Sequence, residues 1–493
     1  MIELISNLLN QLQKEAVTPP LYDIYSYCKK AIIEINRPMR IAITGKIKTG
    51  KSTLLNSFLG RYIAPTAEVV LTYIVSWFHH VNFSEDGKEK IKVHFHDGNV
   101  EIFPLSTFNS LVAYKAENKE YADTIHWIDV FVDHPILKIF DIIDTPGLDS
   151  LLGTESQHTR DLLTNDDNRP DAIIYLMIRG FAQEDMDKVQ AFHQATGLMN
   201  GLNAIAALTR VDELPEKYIG AEEIIQRNID EHAVVRYYFS EIFPIAALPA
   251  QAFYTLSDNN IELLKLLSGY TGIDNFTCDQ NTFENDLDFL SLPERKSLLF
   301  QLSIEGIRMA IDYFRQHLDA KASDFKNYLY QFSKVEDLQK FIVSHFGERA
   351  DFYKSMRVIA GLKKVSEETN RKCTGKEKEI VESFIKRINT MNYTMQNYYA
   401  SYYILKDYYD QADYFNDDEW EKAKRILGEF GQTDKERLNI STSASEEEIQ
   451  LAYKKSCSYW SNLAYLKSQT GKTKGCNAAV QIKEIIEITL IKE

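Results

Sequence analysis

The sequence predicts an α/β head, with a mixed, mostly parallel sheet flanked by helices, joined to an elongated all-α helical bundle. Three observations predict it. Apolar runs typical of buried parallel strands recur up to about residue 250, and several end at a glycine or a carboxylate. Strand signals vanish after about residue 255. Long segments with apolar residues at helical spacing follow, roughly 293–318, 325–346, 348–370, 375–413, 417–429 and 446–490.

In chain order, two helices come first. Ile5, Leu8, Leu9 and Leu12 fall at helical spacing, and so do Ile24, Cys28, Ile32 and Ile35. Pro19-Pro20 separates the two helices and Pro38 ends the second. The expected division is 1–37, helices that join the bundle; 38–255, the head; 256–345, helical, either a head extension or the start of the bundle; and 346–493, the bundle.

Met39–Thr44 reads as the first buried strand, and Ser52–Leu59 as the first turns of a helix. Between them Gly45-Lys46-Ile47-Lys48-Thr49-Gly50-Lys51-Ser52, with Thr53 behind it, fits the phosphate-loop pattern G-x-x-x-x-G-K-[ST] without mismatch. Strand, glycine loop and helix is the setting this motif needs. The glycines let backbone N–H groups face phosphates, and the helix N-terminus adds its positive dipole end. Lys51 is expected to reach the β- and γ-phosphates, and the Ser52 hydroxyl to hold Mg²⁺.

A phosphate loop serves ATP and GTP alike, so the choice rests on two later motifs. Asp144-Thr145-Pro146-Gly147 follows the apolar run Ile139–Ile143. A carboxylate at a strand end can hold the magnesium shell, and Gly147 can bring its N–H to the γ-phosphate. Asp171–Ile178 supplies another buried strand, and Glu184–Leu198 a helical pattern. Thr209-Arg210-Val211-Asp212 follows the apolar run Ala204–Leu208 and resembles the guanine-reading motif [NT]-K-x-D. A carboxylate there accepts two hydrogen bonds that guanine offers and adenine does not. Asp212 is thus the expected base reader, and the stem and flat guanidinium of Arg210 can cover a purine face. Phe243–Leu248, with Ala246 and Ala247, sits where GTPases carry a loop that packs on the base, although Ala246 stands where they often have Ser. Each motif ends an apolar strand, where ligands of such sheets bind.

The stretch after the phosphate loop narrows the family. Leu54-Leu55-Asn56-Ser57-Phe58-Leu59-Gly60, then Ile63-Ala64-Pro65-Thr66, Thr72 and Ile74-Val75-Ser76-Trp77 resemble the dynamin superfamily, in particular its bacterial dynamin-like GTPases. The resemblance is strong to about residue 215 and looser beyond. It implies an α/β P-loop GTPase head on a helical neck or stalk, and Thr72, seven residues after Pro65, as the switch threonine that binds Mg²⁺ and positions water; Thr66 is the alternative. It also implies GTP-dependent head-to-head dimerisation, a bundle that moves as a lever, a second dynamin-like chain as possible partner, and peripheral work on lipid membranes. Eukaryotic dynamins place Gln and Ser where this chain has Ile47 and Lys48. Lys48 either supplies positive charge in cis for phosphoryl transfer or contacts phosphate or a facing protomer.

Composition limits the alternatives. An apolar fraction of 44% supports sizeable cores, and 493 residues suggest two to four structural units. The five cysteines, Cys28, Cys278, Cys373, Cys457 and Cys476, are scattered and odd in number, which reads as free thiols in a reducing compartment. The start Met1-Ile2-Glu3-Leu4-Ile5 lacks a basic region and a cleavage site, and no apolar run approaches transmembrane length. The expected place is the cytoplasm, at the inner face of the membrane. A net charge of −15 opposes nucleic acid as a partner. A local basic patch, with Lys363, Lys364, Arg371 and Lys372 beside Val358, Ile359 and Leu362, is a candidate membrane contact at a hairpin tip; the alternative is a solvated helix face over a packed stripe. Lys467–Gly475 reads as a flexible basic loop between two helices. The tyrosines between Asn392 and Tyr414 read as bundle packing.

Overall fold

The computed structural model describes residues 1–46, 48–66, 74–112, 121, 123–144, 170–181, 186, 187, 189, 190, 201–232, 234–287, 289–431 and 433–489. The chain divides into two compact units. One comprises Pro38–Met199 and Asn203–Ala350; the other comprises Met1–Arg37, Asn200–Leu202 and Asp351–Glu493.

The first unit carries strands β1 (Met39–Gly45), β2 (Ser76–His80), β3 (Lys90–Phe95), β4 (Val100–Phe103), β5 (Ile125–Val132), β6 (Phe140–Asp144), β7 (Ala172–Met177), β8 (Ala204–Leu208) and β9 (Ile242–Pro244). They form one sheet in the order β4-β3-β5-β2-β6-β1-β7-β8-β9. β1 runs parallel to both β6 and β7, and β7, β8 and β9 continue in parallel. β2 is parallel to β5 but antiparallel to β6, and β3 is antiparallel to β4 and β5. The sheet is therefore mixed and mostly parallel, as expected. β1, β6, β7 and β8 are buried along their whole length, which explains their continuous apolar runs. β1 has later strands on both sides, so a crevice opens at its carboxyl end.

Gly45 closes β1 where no side chain fits. Its φ is +145°, and a Cβ there would lie 2.4 Å from the Leu176 carbonyl oxygen of β7. The helix Lys51–Leu59 then starts from Gly50 in left-handed conformation.

The helices Asp258–Ser268, Gln280–Asn285, Leu292–Gln316 and Ala322–Ser333 belong to the same unit as the sheet. Ile261, Leu264, Phe283, Leu298, Leu302 and Phe325 form their core, which takes in Ala252 of the helix Ala247–Thr255. Two boundaries differ from expectation. The uniform apolar spacing of 293–318 hides a break: Ser303 has φ 60° and ψ 175° inside Leu292–Gln316. The expected interruption near residue 347 is absent. Left-handed Lys334 ends Ala322–Ser333, and the next helix runs without interruption over Val335–Lys372. Gly347 stays helical in it and lies against the Phe140 ring.

The second unit is helical. The helices Ile2–Glu15 and Tyr22–Asn36 bury the apolar positions read from the sequence, except that Ala31 replaces Ile32 in the interior. Tyr27 donates to the Val358 carbonyl at 2.9 Å, and Arg387 makes a two-pronged pair with Glu15 at 3.0 and 2.8 Å. Phe352 packs among Tyr399, Tyr402 and Tyr403; Trp420 packs among Tyr408, Tyr414 and Phe415. Tyr393 and Tyr398 point outward. The basic stretch 467–475 is mostly helix, with a short turn between Glu446–Gln469 and Thr473–Thr489, and Lys467 pairs with Glu419 at 2.6 Å. It is thus a fixed connector and not the loose loop expected. Among the described residues no helix is long and apolar enough to cross a membrane.

Candidate nucleotide site

The phosphate loop sits at the carboxyl end of β1. The Lys51 ammonium is buried and donates to the loop's own carbonyls, Gly45 at 3.2 Å and Lys46 at 2.8 Å. Thr49 Oγ1 donates to the Lys46 carbonyl at 2.8 Å, which tightens the same turn. Lys48 is exposed and left-handed, with φ 64°, an uncommon state for a side chain other than glycine. Ile47 lies outside the described residues.

Asp144 closes β6 next to the loop. Ser52 Oγ donates to Asp144 Oδ2 at 3.2 Å, while Asp144 Oδ1 is buried without a partner. Burial pushes the carboxyl up to about 6, against the pull of the Lys51 charge and the Ser52 hydrogen bond. A hydroxyl and a buried carboxylate with an unused oxygen form a hard-oxygen pair of the kind Mg²⁺ takes. Thr72 and Gly147 fall outside the described residues. The alternative switch threonine, Thr66, donates its N–H to Tyr62 Oη at 3.1 Å and lines the cavity described next.

The base-side loop follows β8. Thr209 Oγ1 donates to the Thr49 carbonyl at 2.9 Å and to the Met177 carbonyl at 3.1 Å. Arg210 Nη2 reaches the Lys48 carbonyl at 2.9 Å, and Nη1 reaches Glu213 at 3.2 Å. The guanidinium is therefore engaged in tying the two loops together, which leaves the stem to meet a base. Asp212 is buried; burial lifts its carboxyl to about 6, and Lys217 fixes its backbone carbonyl at 2.6 Å. A cavity of about 410 Å³ opens here, lined by Thr49, Gly50, Thr53, Asp212 and Ala247 among others. That is the scale of a small-ligand site. Ala246 does not line it; its N–H goes to the Ser333 carbonyl at 2.9 Å.

One residue of the site was named in the sequence only as part of a motif. Asn56 is fully buried and uses all its hydrogen-bonding capacity. It accepts from the Ile63 and Ala64 N–H groups at 2.9 and 2.8 Å and donates to the Ala64 carbonyl at 2.8 Å and Gln251 at 3.1 Å. It pins the chain just before Thr66. A buried asparagine inside an otherwise apolar helical run is the signal for such a role.

The basic patch lies away from this site in sequence, in the second unit. Lys363, Lys364, Arg371 and Lys372 are exposed, but Val358, Ile359 and Leu362 are buried. The apolar half of the expected membrane contact is thus core. Lys372 pairs with Asp23 at 3.2 Å, and Lys363 meets Glu367 at 4.0 Å.

Known proteins are similar to this chain in sequence. Residues 41–196 match the model of the dynamin family. The isoniazid-induced protein IniC of Mycobacterium tuberculosis is 23% identical over 486 residues, covering 94% of this chain and 92% of its own. Dynamin-like protein 2 of Campylobacter jejuni is 24% identical over 459 residues, covering 90% of this chain and 67% of its own. A solved structure of an oligomerised bacterial dynamin pair aligns with 98% of this chain and 90% of its own at 16% identity, with a TM-score of 0.37. The family match spans the phosphate loop, β6 and β7, the two relatives align along the helical part as well, and over both parts the chain is similar to the bacterial dynamin-like proteins.

Proposed function

We propose that this chain hydrolyses GTP with Mg²⁺ to drive nucleotide-dependent head-to-head dimerisation, and that the assemblies bind and remodel membranes peripherally from the cytoplasmic side. The observation that carries the proposal is the convergence of Lys51 and Ser52, Asp144, and Thr209–Asp212 at the carboxyl ends of β1, β6 and β8. In this reading Lys51 exchanges its two backbone carbonyls for the β- and γ-phosphates. Ser52, Asp144 and Thr72 would hold Mg²⁺, and the ion would supply positive charge to the phosphate oxygens. Asp212 accepts two hydrogen bonds from the guanine edge. Gly147 offers its N–H to the γ-phosphate, and Lys48, exposed at the loop, adds positive charge. A second copy, or a second dynamin-like chain, completes the site from the other side.

A second reading is a regulatory GTPase that switches a protein partner and leaves lipid alone. The burial of Val358, Ile359 and Leu362 favours it, because the patch at Lys363, Lys364, Arg371 and Lys372 then offers charge without an apolar anchor. GTP turnover with and without anionic liposomes, with co-sedimentation and Lys51→Ala as control, separates the two. Lipid-stimulated turnover with pelleting supports remodelling. Turnover indifferent to lipid, with the protein left in the supernatant, overturns it in favour of the switch.

A further inference from the structure

The cavity over Asp212 has a second wall that no GTPase motif supplies. Lys296, Leu299, Phe300 and Ser303 line it from the helix Leu292–Gln316. The spacing of Lys296, Leu299 and Phe300, at i, i+3 and i+4, puts them on one helical face, and Ser303 follows at the break. The neighbours off that face, Leu298 and Leu302, are fully buried in the helical core. Phe300 is 48% exposed, a large aromatic ring open to a cavity otherwise rich in polar groups. Ser303 breaks the helix at this wall, and its Oγ is buried without a hydrogen-bond partner. Lys296 stands at the same wall, 3.4 Å from Glu284.

We propose that Phe300 is a nucleotide-positioning residue supplied in cis by the helical extension, covering the purine or ribose of the guanine nucleotide held at Asp212. The inference rests on the GTP-binding reading above and adds a residue to it. A half-exposed ring facing the cavity gains from a flat ligand in two ways: its apolar area leaves water, and ring faces stack. Phe300 also meets Tyr62 edge-on at 5.7 Å, and Tyr62 Oη accepts from the Thr66 N–H. The ring that covers the base therefore touches the residue that anchors the start of the segment between phosphate loop and β2.

The test uses the full chain and a fluorescent GDP analogue, with unlabelled GDP in competition. Phe300→Ala is expected to weaken GDP binding about tenfold, and to raise KM for GTP more than it lowers kcat. Phe300→Trp is expected to keep wild-type affinity and to show quenched tryptophan emission when GDP is added, a signature that a purely structural role would not give. Melting curves without nucleotide identify a Phe300→Ala variant that fails to fold; the emission of Phe300→Trp then decides. Wild-type affinity in Phe300→Ala, or emission of Phe300→Trp indifferent to GDP, overturns the inference and leaves the GTPase reading intact. Failure of the wild type to bind GDP overturns both.

Discussion

Arg210 donates to the backbone carbonyl of Lys48 at 2.9 Å, and both residues are left-handed, at φ 60° and 64°. Two uncommon backbone states thus face each other across the nucleotide site, each held by the other's loop. Arg210 acts as a strap between the base-side loop and the phosphate loop. Arg210→Ala removes a charge-assisted bond at a partly exposed position, worth about 1 kcal/mol. GDP affinity is expected to fall roughly five- to tenfold. Arg210→Lys keeps the stem but loses the fork, so it should recover only part of the loss. Equilibrium binding of labelled GDP to the three proteins checks this.

Asp212 titrates near 6 because it is buried, above its ordinary value of 3.8. A carboxyl raised in the folded state favours folding most below the unfolded value, and that advantage is lost as pH rises through about 6. Asp212→Asn is therefore expected to raise the melting temperature of the nucleotide-free protein at pH 7.5 and to change it little below pH 4. The same substitution should cost about ten- to hundredfold of the preference for GTP over ATP, since a bidentate base contact carries roughly 1–3 kcal/mol of discrimination. In the wild type that preference should fade as pH drops through 6. Competition with GDP and ADP at pH 7.5 and 5.5 measures it.

His79 lies between two carboxylates, with Nδ1 2.9 Å from Asp141 and Nε2 3.4 Å from Asp129. A carboxylate beside each ring nitrogen favours the charged imidazolium. Burial opposes that charge, but Asp141 and Asp129 prevail and lift the group to about 10. Stability from a raised histidine is complete below about 6.5 and is lost as pH rises toward 10. Urea midpoints should fall between pH 7 and 10, and His79→Gln should flatten that slope. A slope unchanged in the variant would refute the assignment.

Asn56→Ala leaves the Ile63 and Ala64 N–H groups and the Ala64 carbonyl buried without their partner. The expected loss is about 2–4 kcal/mol of stability. GTP turnover at a temperature where the variant is still folded should also drop, because the chain leading to Thr66 loses its anchor. Chemical denaturation and turnover, measured side by side, separate the two effects.

Ser52→Ala removes the hydroxyl that meets Asp144 at 3.2 Å. Turnover is then expected to need more Mg²⁺ for half-maximal rate, while GDP binding in EDTA changes little. A Mg²⁺ titration of the wild type and the variant gives the answer.

Much of the head was legible because its chemistry is local. A glycine loop between strand and helix, and carboxylates at strand ends, carry their positions in the neighbouring residues. Gly45 shows why: the close approach of Leu176 leaves no other residue possible there. What stayed hidden depends on partners distant in sequence. Nothing around Phe300 signals that its helix face meets the base-side loop. The break at Ser303 has no proline or glycine to mark it. His79 pairs with Asp129 and Asp141 only because β2 lies between β5 and β6. The patch near Lys363 stayed open for another reason: basic residues flanking an apolar stripe look the same on a packed helix and on a lipid-docking one, and the burial of Val358, Ile359 and Leu362 is not visible in the sequence.

The phosphate loop carries internal partners for its own lysine. With the Lys51 ammonium resting on the Gly45 and Lys46 carbonyls, the strongest charge of the site has its needs met before any phosphate arrives. A phosphate bound there would take the place of carbonyls that already satisfy the ammonium, so the lysine's gain from the ligand is a difference between two sets of partners.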